Sequence, residues 1–217
     1  MIGTLLPAHV LATRLIANVS DSLAEKLALP SGFRSIGIIT GDCDDVTYCG
    51  LDEATKAAAV EIVYGRSLYA GAGNASTKYA GEVIGILAGP NPDEVQSGLK
   101  AATAFIEGED AFRSANADDT VPYFAHTVSR TGTYLSKTAG VPEGSPLAYL
   151  IAPPLEAIYG LDAALKAAGV TLVAFFEPPS ETNFAGGLLT GTQSACQAAC
   201  SAFANAVMEV ATRPKEP

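Results

Sequence analysis

The sequence has 217 residues, of which 48% are hydrophobic and 17% charged, and it contains no tryptophan. This composition is too apolar for a disordered chain, shows no long uninterrupted apolar span, and suits two domains of roughly a hundred residues each. The formal net charge of −10 disfavours nucleic acid and acidic membrane surfaces as partners, and it favours cationic or neutral ligands.

The chain opens with alternating apolar residues at positions 9–19, which predict a strand. Ser20 is placed to cap a short helix that ends at Pro30, and a second strand is predicted over residues 36–40. The next segment, GDCDDVTYCG, has three carboxylates within four residues and is predicted to be a loop. Its acids are candidate functional groups.

An alanine-rich helix is predicted to begin at Asp52 or Glu53 and to continue to Tyr64. Residues 66–70 and 81–89 are predicted strands. The glycine-rich, polar segment between them is predicted to be an exposed loop.

The clearest local signals mark the last helix of each half. Asn91, followed by a proline and two acids, is a typical helix start, and Thr192 begins the corresponding helix in the second half. Each helix has an apolar stripe with steps of four, three and four residues: Val95, Leu99, Ala102 and Ile106, then Cys196, Cys200, Phe203 and Val207. The matching stripes indicate an internal duplication.

The polar, acidic stretch 107–122 is the only convincing linker, so the predicted domains are residues 1–108 and 109–217. Each domain is predicted to be α/β, with a mixed sheet covered by helices on one face. The N-terminus lacks a basic region followed by an unbroken apolar core, which indicates structure and not a signal peptide.

Few residues point to catalysis. His9 and His126 lie in different copies, and no GxSxG, HExxH or P-loop motif occurs, so no enzymatic activity, cofactor or metal is expected. Cys196 and Cys200 are one turn apart on a helix face and are expected to be buried, reduced thiols.

Five ordered segments together resemble the tandem-domain shell-protein family of ethanolamine-utilization bacterial microcompartments. They are DDVTY (44–48), VYGRSLYAG (63–71), GPNP (89–92), APPLEAIYG (152–160) and PPSETN (178–183). The resemblance implies two tandem, circularly permuted microcompartment domains with ferredoxin-like sheets. It also implies a homotrimer that forms a pseudo-sixfold tile beside other shell proteins, in a microcompartment within the cytoplasm.

Six similar modules in a ring leave an opening on the axis. The resemblance places two loops at this opening, and we expect them to gate a transport pore for a metabolite or a cofactor such as cobalamin. The candidate gate residues are Tyr69, Gly71, Gly73, Glu181, Asn183 and Phe184. Glycine supplies a tolerant backbone in the first loop.

The resemblance also implies an ethanolamine site in a small channel, with ligand binding favouring the closed pore. The implied site residues are Asp44, Asp45, Glu82, Phe112 and Thr182. Clustered carboxylates suit an ammonium group. From the residues alone, Asp44 and Asp45 could equally cap a turn, Glu82 could be a solvated strand-edge charge, and Phe112 could pack the linker.

A soluble amine-binding sensor or regulatory protein is the alternative. A duplicated α/β chain with an acidic pocket could bind an amine without assembling into a shell. Assembly into sheets distinguishes the two functions.

Overall fold

The computed structural model describes residues 2–67, 82–178 and 183–215, which form two compact units. The N-terminal unit contains Ala8–Asp110 and also Gly132–Leu135. The C-terminal unit contains Ala111–Thr131, the residues from Ser136 onward, and the first residues of the chain up to Pro7. Each unit therefore includes a short segment from the part of the sequence that otherwise forms the other.

The elements alternate in both halves of the sequence. The first half contains β1 (Leu5–Leu6), β2 (Val10–Ile16), α1 (Asp21–Lys26), β3 (Ser35–Gly41), α2 (Asp44–Ala57), β4 (Glu61–Ser67), β5 (Val83–Gly89) and α3 (Pro92–Ile106). The second contains β6 (Phe112–Ser114), β7 (Pro122–Val128), α4 (Thr133–Ala139), β8 (Leu147–Ala152), α5 (Pro154–Ala167), β9 (Val170–Phe176), β10 (Ala185–Gly191) and α6 (Gln193–Thr212).

The strands form sheets of order β2-β3-β5-β4 in the N-terminal unit and β1-β6-β7-β8-β10-β9 in the C-terminal unit. The expected α/β architecture is confirmed, but every strand pair among the described residues is antiparallel, so the expected mixed pairing does not occur. The reason is the strand order. α2 connects β3 to β4, which run in the same direction, but β5 lies between them and is antiparallel to both.

Both faces of the N-terminal sheet are packed. On one face, small residues allow the helices to approach closely: a Cβ on Gly37 would lie 2.8 Å from Leu99 Cγ of α3. On the opposite face, Ile36 and Ala88 pack with Val19 and with partly buried side chains in and after α1. A short segment that contains α1 therefore packs on the face opposite the expected helix layer.

The start of α2 differs from the prediction. The helix begins at Asp44, so the segment expected to be a loop is helical, and the predicted start at Asp52 is mid-helix. Val46 and Cys49 are buried at helical spacing, and two acids in the first turn favour the helix dipole.

The end of α2 and the start of β4 also differ from the prediction. The helix ends at Ala57 because Ala58 is extended, with φ −148° and ψ 161°. Glu61–Ser67 is a strand, whereas the helix was predicted to continue to Tyr64. Ile62, Val63 and Tyr64 have β-branched or aromatic side chains that favour a strand, and pairing with β5 decides the outcome.

The predicted linker contains β6. This three-residue strand pairs with β1 through Leu6 and Phe112 and with β7 through Arg113 and Tyr123. Such a short strand lacks a readable alternation, and its partner β1 is distant in sequence. Sequence patterns therefore could not reveal it.

The predicted caps give a mixed result. Asn91 Oδ1 accepts the Glu94 N–H at 2.9 Å, and Thr192 Oγ1 accepts the Ala195 N–H at 3.2 Å, as predicted. The prediction for Ser20 is wrong, because its side chain makes no cap hydrogen bond to α1. α1 is also shorter than predicted and ends at Lys26.

Candidate functional site

The acidic pair lies in the first turn of α2. Asp44 and Asp45 are buried, with 4% and 6% of their surface exposed. The Asp45 N–H donates to Asp44 Oδ1 at 2.9 Å, which gives this carboxylate one partner in its own turn. Two adjacent carboxylates with so little water repel each other, so the position favours a proton or a cation.

The pKa of Asp44 reflects this environment. Burial, and then the negative charge of Asp45, raise the pKa of Asp44 well above its usual value. Hydrogen bonds from backbone N–H groups and from the Ser67 hydroxyl act in the opposite direction. The Tyr48 hydroxyl donates to Ser67 Oγ at 3.2 Å, so a polar chain of two side chains leads to the carboxyl of Asp44.

Glu82 immediately precedes β5 and is the most unusual carboxylate of the site. Only 1% of its surface is exposed, and neither carboxylate oxygen has a hydrogen-bond partner among the described residues. Burial, and then the charge of Asp42, raise the pKa of Glu82. A buried, unpaired carboxylate is costly, and a bound cation would compensate that cost.

The strand register explains why Glu82 lies near the acidic turn. Val83 of β5 pairs with Gly41 of β3, so Glu82 and Asp42 follow on at the same end of the sheet. Asp42 is separated from the helix α2 only by Cys43. The expected proximity of Glu82 to the acidic segment therefore follows from the pairing of β3 with β5.

Asp42 has partners of its own. Its Oδ1 accepts the His9 backbone N–H at 2.6 Å, and its Oδ2 lies 2.9 Å from His9 Nδ1. His9 is the first residue of the strand predicted over positions 9–19, and Asp42 was expected only as one of the three acids of the predicted loop. Their pairing depends on the register between β2 and β3, and no local sequence signal could have revealed it.

Phe112 belongs to the C-terminal unit and lies in β6. It is 1% exposed, and its ring stacks on Phe124 at 5.3 Å and on Phe184 at 6.0 Å between centroids. The side chain is therefore part of an aromatic cluster of its own unit.

Several predicted residues lie outside the described residues: Thr182 of the ligand site, and Tyr69, Gly71, Gly73 and Glu181 of the gate. Of the remaining gate residues, Asn183 is exposed and has φ 65°, a left-handed conformation that asparagine tolerates. Phe184 is half-buried against Phe112.

The C-terminal unit does not repeat the acidic turn. α5 has the same length as α2 and begins with Pro154 and Leu155, where α2 begins with Asp44 and Asp45. The duplication therefore kept the helix and changed its first residues, so the first turn of α5 lacks the carboxylate pair of α2.

The cysteines match the prediction of buried, reduced thiols, and Cys43 and Cys49 are buried free thiols as well. Burial raises the pKa of Cys200 to about 11, and its Sγ accepts a hydrogen bond from Thr127 Oγ1 at 3.3 Å. Within the described ranges, no group of three or more histidine, cysteine or acidic side chains could hold a metal ion. No helix of the described chain is long and apolar enough to cross a membrane.

Comparison with known proteins finds a matching domain family and closely similar sequences. The BMC domain profile matches residues 29–116. The chain is 64% identical over 214 residues to the bacterial microcompartment shell protein EutL of Clostridium perfringens, covering 99% of each chain. It is 55% identical over 210 residues to EutL of Salmonella typhimurium, covering 97% of this chain and 96% of the relative.

A solved structure agrees with the sequence relationship. The crystal structure of ethanolamine utilization protein EutL from Leptotrichia buccalis C-1013-b is 68% identical and matches with a TM-score of 0.94 over 100% of each chain. A BMC domain within this two-unit α/β fold defines the class of bacterial microcompartment shell proteins. Within that class, the chain belongs to the EutL family. The resemblance noted in the sequence is confirmed, and these shell-protein relatives agree with a non-catalytic role.

Proposed function

We propose that three copies of this chain form a flat tile of a microcompartment shell that encloses ethanolamine-degrading enzymes. Residues 1–108 and 109–217 of each copy would supply six similar modules around a central axis. Membership of the EutL family and the internal duplication support this arrangement. Two homologous modules per chain in a threefold assembly form a closed ring, and the ring leaves an opening on its axis.

The assembled tile has a direct test. At high concentration, the purified protein is expected to form two-dimensional sheets or layered hexagonal arrays in electron micrographs, because a shell tile must pack edge to edge with its neighbours. Isolated particles that never form arrays, but bind a partner protein only when an amine is present, would favour the sensor function instead.

The opening on the axis is proposed to be a gated pore for a metabolite or a cofactor such as cobalamin. The gate is assigned to the two loops that contain Tyr69, Gly71, Gly73, Glu181, Asn183 and Phe184. The ring of Phe184 stacks on Phe112 at 6.0 Å between centroids, so a gate movement that carries Phe184 would have to break this contact. Ligand binding shifts such an equilibrium only when one pore state binds the ligand better.

Ethanolamine is the proposed ligand, bound in a small channel by Asp44, Asp45 and Glu82, with Phe112 and Thr182 as further channel residues, and favouring the closed pore. The observation that carries this proposal is that both carboxylate oxygens of buried Glu82 lack a hydrogen-bond partner among residues 2–67, 82–178 and 183–215. An ammonium group would give that carboxylate a charge-assisted hydrogen bond, and the ligand hydroxyl would find a second polar partner. The first turn of α5 has no equivalent of Asp44 and Asp45, so we propose one ligand per chain.

Glu82→Gln and Asp45→Asn are each expected to weaken ethanolamine binding by about thirtyfold or more, because each removes a carboxylate from a buried cation site. Isothermal titration calorimetry of the assembled protein measures the change. Glu209→Gln is the matched control, because Glu209 is an exposed acid that pairs with Arg213 on the surface of α6. Its affinity should equal that of the original protein.

The same titrations are repeated at different pH values and with a different ligand. Because the pKa values of Asp44 and Glu82 are raised, protons compete with the ammonium group as the pH is lowered, so the affinity for ethanolamine should fall as the pH decreases toward these raised pKa values. Ethylene glycol, which has the hydroxyl but no charge, should not bind. Unchanged affinity in Glu82→Gln and Asp45→Asn would remove these residues from the site.

A further inference from the structure

Helix α5 of the C-terminal unit exposes an apolar surface. Leu155, Ile158 and Tyr159 are 62%, 44% and 48% exposed, and Leu165 on the same face is 37% exposed. The helix buries its opposite face, which includes Leu161. A helix with apolar residues on two faces normally buries both of them. The exposed apolar face of α5 is therefore suited to contact with a protein partner.

Helix α2 is the equivalent of α5 in the N-terminal unit. Both have 14 residues, and both end at an extended alanine, Ala58 with φ −148° and Ala168 with φ −144°. Each also has an aspartate and a lysine four residues apart that form an ion pair, Asp52 with Lys56 and Asp162 with Lys166. When α2 and α5 are matched residue by residue from these ends, Asp162 corresponds to Asp52 and Ile158 corresponds to Tyr48.

The equivalent face of α2 is covered within the N-terminal unit by residues 132–135. Asp52 accepts two backbone N–H groups at 2.8 Å, from Gly132 and from Leu135. The Thr133 N–H donates to Thr55 Oγ1 at 3.1 Å, and the rings of Tyr134 and Tyr48 are 6.1 Å apart. Residues 132–135 on α2 therefore show how a segment of this chain covers such a helix face.

That covering segment also has an equivalent, which lies at the start of α1. The turns that follow the two short helices match: Ala28 has φ 52° and Gly140 has φ 65°, and each donates its N–H to the carbonyl three residues earlier. Further along, Gly32 and Gly144 have φ 84° and 85°. The alignment therefore matches residues 20–23 to residues 132–135.

Residues 20–23 do not cover a helix of the described chain in this way. All four are exposed, Leu23 by 41%, whereas its equivalent Leu135 is 1% exposed. The chain thus contains a second pair of surfaces that could form the same contact, namely residues 20–23 and the exposed face of α5. Both surfaces are exposed to solvent.

We propose that residues 20–23 of one copy pack on α5 of a second copy, as residues 132–135 pack on α2. Leu23 takes the place of Leu135, and Asp162 takes the place of Asp52. The acid that this segment adds, Asp21, is already paired with Arg34 at 2.6 Å, so the contact brings no unpaired negative charge. The inference rests on the proposed tile and specifies the surfaces that join its copies. A contact between two different surfaces propagates head to tail, and in the proposed three-copy tile it closes into a ring.

Chemical cross-linking tests the proposed contact. Ser22 and Ile158 are the equivalents of Tyr134 and Tyr48, so the double variant Ser22→Cys with Ile158→Cys should place two thiols next to each other between copies. The four native cysteines are buried, so a short bismaleimide should react mainly at the introduced, exposed thiols. We expect covalent dimers and trimers on denaturing gels, with the trimer as the largest closed product.

The controls separate this inference from the proposed function. Ser22→Cys with Gln197→Cys, which places the second thiol on the exposed surface of α6, should give no covalent trimer. Light scattering on the same samples gives the number of chains before cross-linking. Three-chain particles without a covalent trimer in the first variant would overturn the inference and leave the tile intact. A monomer at all concentrations would overturn both.

Discussion

Asp52→Ala is expected to lower the free energy of unfolding by about 3–5 kcal/mol, since hydrogen bonds to a charged group are worth about 1.5–3 kcal/mol each. Asp52 is fully buried, and its two carboxylate oxygens accept the N–H groups of Gly132 and Leu135, both at 2.8 Å. Alanine leaves these two buried donors without a partner. It also removes one of the two acids that pair with Lys56, which keeps Glu53.

Urea denaturation measures the loss, and hydrogen exchange locates it. The amide of Leu135 should lose most of its protection in Asp52→Ala, and Asp52→Asn, which keeps one acceptor oxygen, should show a smaller loss. Glu209→Ala is the control, because it breaks only an exposed pair with Arg213 and should cost less than about 0.5 kcal/mol. A loss below about 1.5 kcal/mol for Asp52→Ala would show that water or a relaxed backbone replaces the carboxylate.

Gly186→Ala is expected to destabilise the C-terminal unit by about 3 kcal/mol or more, at or above the upper end of typical overpacking costs. Gly186 lies in β10, the strand between β8 and β9. A Cβ at this position would lie 1.9 Å from the carbonyl oxygen of Leu150, which is backbone of β8 and cannot rotate away. The variant can fold only if β8 and β10 separate locally.

Gly169→Ala makes the same substitution at a position with no atom within 4 Å of the added methyl group. Its effect should lie between neutral and a stabilisation of about 1 kcal/mol, because alanine restricts the unfolded chain. Thermal unfolding of both variants, followed by circular dichroism, gives the comparison. Equal midpoints for the two variants would contradict the close approach of β10 to β8.

Local interactions were predictable from the sequence. α3 and α6 were located correctly because their caps, Asn91 and Thr192, and their apolar stripes act within one helix. The internal duplication was also visible, because matching stripes require only a comparison of the chain with itself. The same comparison later identified α2 and α5 as equivalent helices.

Errors arose where pairing between distant segments decided the structure. The segment with Asp44 and Asp45 was predicted to be a loop because its acids resemble turn residues, but buried Val46 and Cys49 make it the first turns of α2. The start of β4 was predicted to be helical because an alanine-rich run precedes it, and only the ladder with β5 shows otherwise.

The candidate site shows the same difference between what local sequence patterns predict and what depends on pairing between distant segments. The sequence supplied the acids and, through the resemblance, the expected ligand. It could not show that both oxygens of Glu82 lack a partner in the described part of the chain, nor that His9 satisfies Asp42, because both depend on strand register.

By itself, the amino-acid sequence determined the family, the duplication, and the helices whose caps and stripes lie within a few residues of one another. Only the tertiary structure decided which unit each short segment joins and which carboxylates are satisfied. Asp52 illustrates the reason: it sits mid-helix in an ordinary polar stretch, and the amide that it binds belongs to Gly132, 80 residues further along the chain. Periodicity and capping are local interactions, whereas the burial and pairing of a charge depend on the path of the whole chain.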